Sequence, residues 1–435
     1  MSPISLLCSL TQIKREELKG ALLSFLFIFI LMASYMILRP VRDALPSDWG
    51  DVSLAVQWSF TFILSTIAVS IYNFFASKVS ITKLVPSVFI FFALSFLLIY
   101  TLSKSGFDKE LLGKVFYVWT SVFALFHISV FWSFTSHFYS KEQSTRIFGF
   151  INTGASAGAI VGPLSVVYLV KNLPLEGILI IASVALFAVV PLVMILNRYH
   201  HNVTSKGKTL GNLDPNPFSG FKDLISSKQL LGIALFFFLF SGISTFLYSA
   251  IKDLLVDYSS SERRELLGSL DLWTNILTIT IGLFATNRIT RKFGLAFSLS
   301  SVPFFVAGML LILSANPAVI LVLALQLFRR AGNYAITRPA REILFTKVSK
   351  EARFKTKPII DVAVYRGADV FWIWGLAFLG DGYLNLGLKQ QLWVGAFIAI
   401  IWGFFGIHLG RRAERAPKDD EEENEELLAT SSQKA

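Results

Sequence analysis

The side chains able to do chemistry in this chain lie where they are hardest to keep. Between Tyr334 and Asp369, Arg338, Arg341, Glu342 and Asp361 sit inside or at the edges of apolar segments. At mid-membrane each such charge costs roughly 2.5–3.5 kcal/mol on insertion scales, so four together rival the stability of a whole domain. They must therefore line a wet path walled by protein. Two smaller groups pose the same problem: Arg39, Arg42 and Asp43 near the N-terminus, and Lys252 with Asp253 midway. A planar guanidinium stays charged when desolvated and holds an oxyanion through two parallel hydrogen bonds, so phosphates and carboxylates are the ligands these residues suit.

Helical periodicity sorts the groups into faces. Tyr35, Arg39, Arg42 and Asp43 share one face, and Tyr248 and Lys252 share another with Asp253 beside it. Further on, Arg330, Tyr334, Arg338 and Arg341 form a basic stripe, and Asp361, Tyr365, Asp369 and Trp372 an acidic and aromatic one. Candidates for holding an anion are Tyr35, Arg39, Arg42, Tyr248, Lys252, Arg330, Tyr334, Arg338, Arg341, Lys357 and Tyr365. Candidates for gating or coupling are Asp43, Asp253, Asp271, Glu342, Asp361, Arg366 and Asp369. Simpler readings stand beside these. Arg42/Asp43, Lys252/Asp253 and Arg341/Glu342 also read as gating or structural ion pairs, and Asp271, Asp361 and Asp369 as proton carriers or as partners of nearby arginines. His127 and His137 read as packed residues before proton relays, and Lys347 to Lys357 as loop charge that sets topology. Adjacent residues point about 100° apart on a helix, so Arg42 is expected to turn toward the seventh helix and Arg341 toward the eleventh.

The elements that must position these residues follow from composition. Of 435 residues 54% are hydrophobic and 16% charged, far below the roughly 25% charged usage of soluble domains, and mean hydropathy is +0.60. Apolar runs long enough to cross about 30 Å of hydrocarbon fall near 20–44, 52–76, 84–103, 112–139, 147–170 and 175–197, then near 230–256, 265–287, 293–314, 317–346, 358–380 and 388–410. The expected fold is an all-α polytopic membrane protein of twelve helices in two sets of six. Residues 1–197 and 230–411 form the two bundles, 198–229 the cytoplasmic linker and 412–435 a disordered acidic tail containing Asp419 to Glu426.

The first run continues into Arg39, Arg42 and Asp43 and reads as a retained helix, not a cleaved signal. Net charge is +11, but the basic residues cluster in alternate loops, as in Lys14, Arg15 and Lys19, Lys222 and Lys228, and Arg411 to Lys418. By the positive-inside rule both termini are cytoplasmic. That distribution accounts for the charge without nucleic acid. The lone Cys8 excludes a disulfide framework, and His200-His201 lack a carboxylate or thiolate partner, so neither a metal nor a cofactor is expected.

The two sets are repeats. Ser140-Lys141-Glu142 and Ser349-Lys350-Glu351 stand 209 residues apart, and the same offset pairs Arg146 with Lys355, Asn152 with Asp361 and Gly158 with Gly367. An offset of 210 sets Arg42-Asp43 on Lys252-Asp253. Two six-helix repeats of this kind are the plan of the major facilitator fold, with substrate held at mid-membrane. Gly149, Gly158 and Gly162-Pro163 resemble part of an antiporter motif of that superfamily, and Asn287-Arg288 with Arg291-Lys292 its basic loop motif. The glycines read equally as close helix packing. Leu38-Arg39-Pro40-Val41-Arg42-Asp43-Ala44-Leu45, Arg338-Pro339-Ala340-Arg341-Glu342 and the run Lys355 to Asp361 resemble motifs of the ATP/ADP antiporter (nucleotide translocase) family, in its divergent free-living bacterial branch. Asp43, Pro339, Glu342, Lys357 and Asp361 match as they stand, while Arg42 and Arg341 occupy positions where that family carries lysine.

Enzyme readings find no support: the sequence has no Walker A loop, no Gly-rich dinucleotide turn, no HExxH and no nucleophile elbow. What the residues and the resemblance together imply is a monomeric secondary transporter that exchanges a small anionic, nucleotide-like metabolite across the bilayer. A proton-coupled carrier of another organic anion is the alternative, with Asp271, Asp361 or Asp369 titrating.

Overall fold

A computed structural model describes residues 13–76, 78–139, 141–170, 173–203, 224–284, 286–346, 356 and 359–415. The described residues are helical, and the spans fall where the apolar runs place them. They are α1 (Arg15–Ala44, extended by a 3-10 turn Leu45–Asp48), α2 (Asp51–Ala76), α3 (Ile81–Lys104), α4 (Lys109–Phe138), α5 (Lys141–Ser165) and α6 (Leu175–Val203). The second set is α7 (Lys228–Leu254), α8 (Ser260–Phe284), α9 (Thr286–Ala315), α10 (Val319–Gly332, running on into Arg338–Thr346), α11 (Tyr365–Leu379) and α12 (Leu388–Arg415). Ten of these are long and apolar enough to cross a membrane on length and composition alone. The other two, α8 and α11, fall short for visible reasons: α8 opens on the polar run Ser-Ser-Glu-Arg-Arg-Glu, and the regular part of α11 has 15 residues.

Three π-turns interrupt the spans, each beside a proline: Val166–Val170 after Pro163, Asn333–Thr337 before Pro339, and Ile359–Val364 after Pro358. A proline inside a helix has no N–H to give and crowds the carbonyl four residues back, so the chain widens or finds another donor. At Pro163 that carbonyl belongs to Ala159, and it accepts 2.7 Å from the side-chain amide of Asn275 on α8.

Contacts divide the chain into two units. One contains residues up to Trp49, Val56–Thr209 and Asp257–Asn275; the other contains Gly50–Ala55, Leu210–Val256 and everything from Ile276 onward. Each unit therefore includes one short segment from the other half of the sequence. In the first, α1 packs on α4, α5 and α6, and α3 on α4 and α6. In the second, α7 packs on α10, α11 and α12, and α9 on α10 and α12. The same pairs of equivalent helices meet in both.

Close approach is arranged differently in each. In the first unit Gly154, Gly158 and Gly162 of α5 lie on the backbone of α1: a Cβ at Gly154 would meet the Phe25 carbonyl oxygen at 2.7 Å, and one at Gly162 the Ala33 oxygen at 2.8 Å. The glycine stripe is thus a helix-packing device. In the second unit the small residue is Gly242 of α7, over which the Trp372 indole of α11 lies 2.6 Å from a would-be Cβ. The α9 helix bends at Gly294, at φ +79°, and the carboxylate of Glu414 on α12 takes the freed N–H groups of Leu295 at 2.5 Å and Ala296 at 3.3 Å.

Candidate functional site

In the first unit the α1 charges meet at one end of the helix. Arg42 donates to Asp43 through Nε at 2.9 Å and Nη2 at 2.7 Å, and through Nη1 reaches the Ser121 hydroxyl of α4 at 3.4 Å, while its guanidinium lies 5.8 Å from the Tyr117 ring centroid. Arg39 stands 3.6 Å from the same Asp43 and 3.5 Å from Asp271 of α8. Two guanidiniums and two carboxylates thus neutralise one another, with Asp271 the most deeply buried at 4% side-chain exposure. An anion entering this cluster has to displace a carboxylate, so binding there is coupled to breaking an ion pair. Just beyond, Arg263 pairs with Asp48 at 2.8 Å, and Arg264 donates to the Leu173 carbonyl at 2.6 Å.

Arg42 ion-pairs with the adjacent Asp43 and Arg341 with the adjacent Glu342 at 3.2 Å, the pairs that the sequence also offers as gating or structural contacts. The physical reason is length: a guanidinium on three methylenes spans the 100° step that the backbone imposes.

In the second unit Lys252 is sandwiched by two carboxylates, Asp51 at 2.5 Å and Asp253 at 3.0 Å. The Asp51 carboxylate also takes the Ser249 hydroxyl at 3.4 Å. Asp381, after α11, closes the start of α2 by accepting the backbone N–H groups of Asp51 at 2.9 Å and Val52 at 3.3 Å, a carboxylate on a positive helix end. Tyr248 is half-buried one turn before Lys252.

Farther along α7 the partners come from α10 and α11. The Arg329 Nε donates to Gln326 at 2.9 Å and its Nη1 to the Ser244 hydroxyl at 2.8 Å, over the Phe240 ring. Asp369 of α11 accepts from Ser241 at 2.5 Å and from Arg366 at 3.5 Å, and the Trp372 indole donates to the Phe238 carbonyl at 2.8 Å. Arg341 lies 3.9 Å over the Phe237 ring. Tyr365, Asp369 and Trp372 do share a face, the one turned to α7.

The basic stripe does not survive. Arg330 and Arg341 are buried while Tyr334 and Arg338 are exposed. The π-turn Asn333–Thr337 puts an extra residue into the turn between them, so a spacing that keeps register in an α-helix rotates out of it. Lys357 and the side chains of Asp361, His137, Arg288 and Arg291 lie outside the described residues, as do Cys8, Lys347 to Lys355 and the acidic tail. Among the described residues no group of His, Cys, Asp or Glu is placed to hold a metal ion.

Several participants escaped the sequence reading. Asp51 opens α2 and reads as an ordinary acidic helix start, yet its partner is 201 residues away. Arg329 was passed over because helical spacing from Tyr334 selects Arg330. Asn275 and Ser121 carry no signal at all beyond being polar in an apolar run. At the opposite end of α1, Tyr139 shares a 3.0 Å hydrogen bond with Ser24.

Comparison with known proteins gives these clusters a setting. The family model described as Major Facilitator Superfamily matches residues 23–353. A protein named ADP,ATP carrier protein 1 from Chlamydia pneumoniae is 23% identical over 428 residues, covering 81% of this chain and 83% of its own. Among solved structures, a POT family transporter in complex with 5-aminolevulinic acid superposes with a TM-score of 0.67 at 12% identity, covering 91% of this chain and 96% of its own. A mutant form of the nucleoside transporter NupG gives 0.58 at 14% identity, covering 91% and 100%. At such identities these two show the shared fold.

Proposed function

We propose, from the premise that the chain belongs to the Major Facilitator Superfamily, that it exchanges an anionic, nucleotide-like metabolite across a bacterial inner membrane by alternating access. That it is a membrane transporter of that fold needs no proposal. The observation that supports the anionic substrate is the set of guanidiniums kept inside the spans: Arg39 and Arg42 on α1, and Arg329, Arg330 and Arg341 on α10. Keeping such groups in the membrane is costly, and neutralising substrate charge is the return that justifies them. Similarity to an ADP,ATP carrier supports the nucleotide-like class. In this reading Arg39 and Arg42 in the first unit, and Lys252, Arg329, Arg330 and Arg341 in the second, are the cations that attract the anion; it must compete with Asp43 and Asp271 for those of the first and with Asp51 for Lys252. Both termini are cytoplasmic and the carrier works as a monomer.

Reconstituted vesicles test the proposal. Labelled ATP, ADP, sugar phosphates and carboxylates are offered with and without counter-substrate inside, and then under an imposed pH gradient. Uptake of a nucleotide that requires internal nucleotide is expected. Uptake driven only by the gradient would favour proton coupling instead, a reading supported by the buried Asp369 beside Ser241 and Arg366.

A further inference from the structure

The start of α1 carries a groove that the transport reading leaves unused. Arg15, Leu18, Lys19, Leu22, Leu23 and Leu26 line it at helical steps of three and four, and it encloses about 670 Å³. Arg15, Lys19, Leu22 and Leu26 are exposed, the two leucines by 45% and 41%. Other side chains of this helix end face protein. Glu17 accepts the Lys14 N–H at 3.1 Å and the Gln143 side-chain amide of α5 at 3.3 Å, and the Tyr199 hydroxyl of α6 donates to the Glu16 carbonyl. Gly20 lets the Tyr199 ring come within 2.9 Å of where a Cβ would stand, and the Lys19 ammonium lies 5.9 Å from the centroid of that ring. The helix is thus fastened to α5 and α6 while its leucines stay open, and among the described residues no carboxylate lines the groove.

We propose that this groove holds one anionic phospholipid, its phosphate between Arg15 and Lys19 and an acyl chain along Leu18, Leu22, Leu23 and Leu26. The groove runs along a segment long and apolar enough to cross a membrane, so its occupant must be stable in hydrocarbon. The two cations at its head, one turn apart on the same face, call for an anion. Arg15 to Leu26 covers about 16 Å at 1.5 Å per residue, close to the roughly 15 Å depth of one leaflet. Cations therefore sit where a headgroup lies and leucines where its chain runs. A neutral lipid would leave the cations unanswered, and a free phosphate would leave the leucines bare. An anionic phospholipid answers both.

The purified full chain is titrated with phosphatidylglycerol, with phosphatidylcholine of the same chains and with inorganic phosphate, and binding is read by thermal shift and by lipid retained in native mass spectrometry. Phosphatidylglycerol is expected to bind and stabilise well beyond phosphatidylcholine, and inorganic phosphate to do neither. Arg15→Gln and Lys19→Gln should each weaken phosphatidylglycerol by about fivefold. Leu22→Trp, which fills the groove from an exposed position, should weaken it by a similar factor and leave the lipid-free unfolding midpoint in place. A control replaces two exposed arginines at the end of α12, Arg411→Gln with Arg412→Gln, and should change nothing. Equal binding of the two lipids by wild type would overturn the site. So would a loss in the α12 control matching that of Arg15→Gln, which would mean diffuse surface charge, or full binding by Leu22→Trp. Stabilisation by inorganic phosphate equal to that by phosphatidylglycerol would leave an anion site without a lipid. Wild type indifferent to lipid, with a chain lacking residues 2–12 less stable, would assign the groove to that N-terminal segment instead.

Discussion

In the first unit the glycines lie on α5 and the bulk on α1; in the second the glycine is Gly242 of α7 and the bulk is Trp372 of α11. Equivalent helices cross in both, so a close crossing needs one small partner and is indifferent to which. Indifference leaves the other helix free. Relieved of a glycine stripe, α11 carries Tyr365, Asp369 and Trp372 on the face that α5 spends on backbone contact. The same division appears between α4 and α10. At the offset of 209, Thr120, Ser121, Ser129 and Ser133 stand opposite Arg329, Arg330, Arg338 and Glu342. At these positions α4 carries hydroxyls where α10 carries charge.

Four tests, two of them paired substitutions, would break or sharpen this contrast. The largest effect is expected at Lys252. Its loss as Lys252→Ala leaves the buried Asp51 carboxylate uncompensated, at about 3–5 kcal/mol of stability, whereas Arg42→Ala costs less because Asp43 retains Arg39. Unfolding midpoints in detergent measure both, and equal losses would show that the two ion clusters are built alike. Next comes the glycine pair. Gly158→Ala drives a methyl into the Phe29 carbonyl and should cost about 1–3 kcal/mol, while its repeat partner Gly367, with open space around it, should accept alanine with a change of up to about 1 kcal/mol in favour.

Asn275→Leu tests the proline of α5. It strips the donor from the Ala159 carbonyl, for about 1–3 kcal/mol, an effect with no counterpart in α11 because Trp372 occupies the position equivalent to Pro163. The smallest is Glu414→Ala. Losing a carboxylate from the helix start after Gly294 should cost about 1 kcal/mol and speed amide exchange at Leu295 and Ala296. Unchanged exchange at those two amides would count against the cap.

The helices, the repeat and the charged faces of α1 and α7 were legible because each rests on local pattern: apolar length, residue offset and helical period, with α8 and α11 below the length and apolarity of the other ten. Partners were not. That Lys252 binds Asp51 depends on how a helix start folds back across 201 residues, and nothing near Asp51 announces it. The stripe Arg330 to Arg341 failed for a different reason. Period arguments assume one helix type, and the π-turn at Asn333–Thr337 changes the period in the middle of the pattern. The Arg42–Asp43 pair depends on side-chain reach, since a direction at Cβ constrains a long guanidinium only weakly.

The exchange of short segments between the units bears on how the protein can be made in pieces. A gene divided between α6 and α7 would encode a first fragment without Asp257–Asn275, where Asp271 answers Arg39, and a second without Gly50–Ala55, where Asp51 answers Lys252. Each product would lose one carboxylate of its ion cluster and keep the other, Asp43 beside Arg39 and Asp253 beside Lys252. Fragments synthesised into one membrane are expected to restore both missing pairs, and each fragment alone to be the less stable for lacking one.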